Sequence, residues 1–70
     1  MFVQKQNFVQ PTDIGKRVSF QWALPNGLLQ EAIGVLELYD HASDTYVLRD
    51  KTDRLVRVPL RDVRFGKVVG

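Results

Sequence analysis

From Arg17 to Leu24 the chain alternates strictly, with Val18, Phe20, Trp22 and Leu24 on one parity and Arg17, Ser19, Gln21 and Ala23 on the other. Successive side chains of an extended strand point to opposite faces, so this segment reads as a half-buried strand with one apolar face. Pro25-Asn26-Gly27 ends it, because Asn-Gly accepts the positive φ angles of a tight turn. A second strand runs from about Gln30 to Tyr39, and Gly34 falls mid-strand, where a missing side chain marks a bulge or a sharp bend. The polar loop Asp40–Asp44 leads to a third strand over Thr45–Arg49, and Asp50–Asp53 connects it to a fourth over Arg54–Val58. That connection is ambiguous by one residue, so either Val47 or the pair Tyr46 and Leu48 faces the core. Pro59 has no N–H to donate and stops the fourth strand. Leu60-Arg61-Asp62-Val63 then fits one 3-10 turn before a last strand, Arg64–Val69.

No segment carries a useful 3.6-residue apolar period, so the expected class is all-β: a small five-stranded barrel, closed or nearly so, over residues 14–70. Val18, Phe20, Ile33 or Leu36, Val56, Val58 and Val63 are its expected core, and Trp22 continues the same stripe as a core tryptophan rather than a ligand platform. Residues 1–13 form a polar, glutamine-rich leader whose apolar residues come in two pairs, Phe2 with Val3 and Phe8 with Val9. Pro11-Thr12-Asp13 breaks any regular element there, and the leader is expected to be flexible or laid along the barrel.

At 70 residues the chain builds one modest core, worth ~3–5 kcal/mol net of chain entropy. It has no cysteine, so neither a disulfide nor a thiolate metal site braces it. A barrel this small rarely supplies the walls of a catalytic cleft, which argues against an enzyme. The first ten residues lack the apolar run of a signal peptide, and Ala32–Leu36 is far short of a membrane span, so a cytoplasmic protein without membrane attachment is expected.

The framing residues Ile14-Gly15-Lys16-Arg17-Val18, Ala32-Ile33-Gly34-Val35-Leu36 and Val58-Pro59-Leu60-Arg61-Asp62-Val63, with Lys67-Val68-Val69, resemble an SH3-like barrel. The segment Ile14–Val69 is similar to the SH3-like domain at the N-terminus of some actinobacterial GNAT-type acetyltransferases. The resemblance implies a bacterial accessory domain and no activity of its own, because the acetyltransferase domain is absent from this sequence. Gly34-Val35-Leu36-Glu37-Leu38-Tyr39-Asp40 also looks like the first motif of Sm-like RNA-binding proteins. The base-contacting Asn of that family would fall near Asp44, and its Arg-Gly is replaced by Arg64-Phe65-Gly66, so the sequence departs from the family at its RNA-contacting positions.

Sets that carry chemistry are sparse. His41 and Ser43 share one loop without a third triad member, and the glycines are too scattered for a phosphate loop. Asp40, His41 and Asp44 lie within five residues of one loop, a weak metal signal that reads first as a solvated surface; no metal or cofactor is expected. Charge is more informative. Residues 31–48 hold Glu31, Glu37, Asp40 and Asp44 with no lysine or arginine, whereas residues 49–70 hold Arg49, Lys51, Arg54, Arg57, Arg61, Arg64 and Lys67 against three aspartates. Clustered with Phe65 or Tyr46 as a stacking surface, Arg49, Arg54, Arg57, Arg61, Arg64 and Lys67 would make a nucleic-acid face. Alternating outward and paired with Asp50, Asp53 and Asp62, they are edge charges that keep strands from aggregating. The expected function is therefore a non-enzymatic module that contacts protein, a partner or a second copy, through apolar residues such as Tyr39, Leu55 and Phe65. The alternative is nucleic-acid binding through Arg57, Arg61 and Arg64.

Overall fold

A computed structural model describes residues 6–70, and Phe2 and Val3 lie outside the described residues. The strands are β1 (Gln6–Asn7), β2 (Arg17–Ala23), β3 (Leu29–Asp40), β4 (Thr45–Arg49), β5 (Leu55–Pro59) and β6 (Val63–Val68). The helical elements among these residues are two single 3-10 turns, Pro11–Asp13 and Leu60–Asp62. The class is all-β, as the alternation predicts. The second 3-10 turn sits where Pro59 ends β5, as expected.

Two features differ from the expected five-stranded barrel. The strands form one sheet in the order β1-β6-β2-β3-β4-β5, and it is not closed. It also has a sixth strand. Gln6 and Asn7 pair parallel to Phe65 and Gly66, and the Phe8 N–H donates to the Gly66 carbonyl at 2.8 Å. A two-residue polar strand has no alternation to announce it. What fixes this segment is Val9, buried at 5% exposure, whose carbonyl accepts the buried Tyr46 hydroxyl at 3.3 Å.

The core lies on one face of the bent sheet. Val18, Phe20 and Trp22 of β2 meet Leu36, Tyr46, Leu48, Val58 and Val63, all buried, and the Phe20 and Tyr46 rings are 5.5 Å apart. The third strand takes the register with Tyr46 and Leu48 inward; Val47 is buried on the opposite side of the sheet. Of the expected core residues, Val56 is half-buried and Ile33 is 49% exposed. Ile33 pairs with Ser19, so it shares the outward face of β2, and Leu36 fills the core instead.

β3 bends over β4 at two neighbouring positions. A Cβ on Gly34 would lie 2.5 Å from the Arg49 carbonyl oxygen, so Gly34 is where the two backbones come too close for a side chain. The bulge itself falls at Glu37, between the pairs Leu36–Leu48 and Leu38–Val47. The extra residue inverts the parity of the strand: Leu38 turns outward at 50% exposure and Tyr39 turns inward against Tyr46, with ring centroids 5.3 Å apart.

Candidate interaction surface

The outward face of β3, β4 and β5 is built from cross-strand rows. Val35, Arg49 and Leu55 stand opposite one another in one row, and Leu38, Val47 and Arg57 in the next. Arg17 on β2 extends the first row beyond Val35. Leu55, Leu38, Ile33 and Leu29 are each about half exposed or more, and Val35 is 37% exposed. Leu55 faces outward because its neighbour Val56 turns to the core side, and its partner Arg49 places it at the edge of the sheet.

Arg49 and Arg57 on this face are engaged. Arg49 lies 2.9 Å from an Asp53 carboxylate oxygen and 3.4 Å from one of Glu37; both contacts, that to Asp53 the larger, raise its pKa. Arg57 donates to Asp40 at 3.0 Å and to the Ser43 hydroxyl at 3.3 Å. The Arg57 guanidinium, followed by the Ser43 hydroxyl, holds the Asp40 carboxyl below its ordinary range. Tyr39 is not a free apolar anchor: its hydroxyl donates to Asp44 at 2.7 Å and its ring packs on Tyr46 and His41. The accepting Asp44 carboxylate raises the Tyr39 pKa. The carboxylates of Asp40 and Asp44 thus serve Arg57 and Tyr39.

The remaining expected site residues lie elsewhere. Arg61 is exposed on the 3-10 turn after β5. Arg64 is exposed on β6, and Phe65 beside it is half-buried, edge-on to Phe8 at 6.4 Å with the Lys67 ammonium 6.0 Å from its ring centre. In the sheet, β2 and β3 stand between β6 and β4. In the order of the sheet, Tyr39, Leu55 and Arg57 belong to β3 and β5, Arg64 and Phe65 to β6, and Arg61 to the turn that joins β5 to β6.

A cleft of about 640 Å³ lies between the first half of β3, Gln30–Val35, and the β4–β5 turn, Arg49–Thr52, with Arg17 and Val56 also lining it. The turn is held by the Asp50 carboxylate, which accepts from the Thr52 hydroxyl (2.7 Å), the Thr52 N–H (2.9 Å) and the Arg54 N–H (3.0 Å). Sequence reasoning did not place Arg17 or Lys51 at a site, yet one signal for the cleft was there. A strand read as Gln30–Tyr39 beside a partner of only Thr45–Arg49 must leave part of its edge uncovered. Comparisons of the chain with protein-family models, with curated proteins and with solved structures find no match.

Proposed function

We propose that this chain is a non-enzymatic, cytoplasmic interaction module of the SH3-like kind that works by contacting protein. The observation that carries the reading is the outward face of β3–β5, where Val35, Leu38 and Leu55 are exposed while the neighbouring Arg49 and Arg57 are paired with carboxylates. Apolar anchors dominate most protein interfaces, and cations already neutralised by carboxylates release few counterions from a phosphate backbone. The likeness to the barrel that precedes actinobacterial acetyltransferase domains supports the fold side of this proposal alone.

Nucleic-acid binding is the second reading, and one observation favours it. The Phe8–Phe65 pair, with Lys67 over the ring and Arg64 alongside, is the type of surface on which an unpaired base stacks. Fluorescence anisotropy with mixed-sequence oligonucleotides separates the two. The protein-contact reading expects no affinity tighter than about micromolar at physiological salt. Tighter binding, lost when Arg57, Arg61 and Arg64 are neutralised together in a chain that still folds, overturns it.

A further inference from the structure

The first half of β3 has one side bare. At one end of the β2–β3 pair the Leu24 N–H donates to the Leu28 carbonyl at 2.8 Å, and at the other the Leu36 N–H donates to the Lys16 carbonyl at 2.9 Å. In an antiparallel ladder the residues bonded to one neighbour alternate with residues whose N–H and C=O point the opposite way. Gln30, Ala32 and Gly34 therefore bond β2, while Leu29, Glu31 and Ile33 turn their backbone groups away from it. β4 takes up that side only from Val35 onward. Among the described residues nothing pairs with the backbone of Leu29, Glu31 and Ile33 on that side.

That edge is one wall of the cleft, and the Asp50–Thr52 turn is the other. A single extended chain is the element that needs least room between the edge and the turn, whereas a second copy's β3 would carry its own β2 in with it. Charge then sets the chemistry of the occupant. Glu31 accepts a hydrogen bond from Gln21 at 3.2 Å, Asp50 is turned into its own hairpin, and Arg49 is held by Glu37 and Asp53. Arg17 and Lys51, both exposed, have no carboxylate partner among the described residues. Among the described residues, Arg17 and Lys51 are thus the cations of the cleft without a carboxylate, Glu31 and Asp50 keep charges met only by neutral donors, and Ala32 and Val56 give it apolar lining.

We propose that this cleft is a strand-addition site for an acidic, extended peptide of a partner protein, which would pair with the β3 edge and set carboxylates toward Arg17 and Lys51. The site rests on the protein-contact reading and names its partner class. Five residues of free edge, Leu29–Ile33, correspond to ~17 Å of strand.

The test uses an end-blocked, dye-labelled hexapeptide of alternating valine and glutamate, beside one copy N-methylated at alternate residues and one with lysine for glutamate. Binding is followed by anisotropy, and amide exchange of the protein by NMR. The valine–glutamate peptide should bind and slow exchange at Glu31 and Ile33, and the other two should not. The double variant R17E/K51E, changed only at exposed side chains and checked for an unaltered spectrum, should bind roughly ten-fold more weakly, with the difference shrinking as salt rises. Absence of binding up to about 1 mM, unchanged exchange at Glu31 and Ile33, or equal binding by either control peptide overturns the site. A negative peptide result with no oligonucleotide binding removes this site and leaves the outward face as the protein contact. Oligonucleotide binding removes both.

Discussion

Phe20 sits where the two halves of the sheet meet. It is 1% exposed, packs on Tyr46, and presses so closely on β6 that a Cβ on Gly66 would lie 2.5 Å from its ring. Phe20→Ala should cost ~3–5 kcal/mol, comparable to the whole stability of a domain this size, and leave the chain largely unfolded. A variant with an unchanged melting temperature would contradict that packing. Asp50 makes a second prediction at this scale. The Thr52 hydroxyl, followed by the Arg54 N–H, lowers its pKa below the ordinary 3.8, so the folded state binds the proton less tightly than the unfolded chain. The stability this supplies is complete above the unfolded value and is lost as pH falls through the lowered one. Asp50→Asn should therefore show a smaller drop in melting temperature than the parent between about pH 5 and pH 2. An identical acid profile would mean that the turn does not rest on the charged carboxylate.

Among the elements, β3 shows how far a period can be read. Arg17–Leu24 was legible because nothing interrupts its alternation, and the turn at Pro25-Asn26-Gly27 carries its own chemistry. β3 gave its existence but not its facing, since Ala32–Leu36 is apolar at both parities and the bulge at Glu37 inverts the facing of the residues beyond it. Gly34 signals a close approach, yet the same signal fits a bulge, and only the Arg49 carbonyl beside it decides. Gly34→Ala places a methyl against backbone, which cannot rotate away, and should cost ~1–3 kcal/mol in urea unfolding. An unchanged midpoint would show that β3 and β4 can separate there at no cost. The β1 pairing stayed hidden for another reason: its hydrogen bonds are backbone to backbone, and Val9, through its burial and the Tyr46 hydroxyl on its carbonyl, ties that segment to the core.

For the molecule as a whole, the basic C-terminal half read as a single candidate face because sequence distance carries no information about sheet order. Arg57 and Arg64 are close in the chain, yet β2, β3 and β4 stand between their strands in the sheet. Arg49 and Arg57 find carboxylates on β3, within the acidic segment that precedes them in sequence. On the β3–β5 side what remains open is apolar surface and a bare stretch of strand beside Arg17 and Lys51, and these are the features that the proposed protein contact, an extended acidic segment, would use. The most direct measurement is one residue-resolved NMR experiment with two probes, the valine–glutamate peptide and a mixed oligonucleotide, at low and at physiological salt. A strand-accepting protein module predicts peptide-induced shifts centred on Leu29–Ile33 and Arg49–Thr52, and oligonucleotide shifts that vanish at physiological salt. Oligonucleotide shifts that persist across Arg64–Lys67, with no peptide response along the β3 edge, would contradict it.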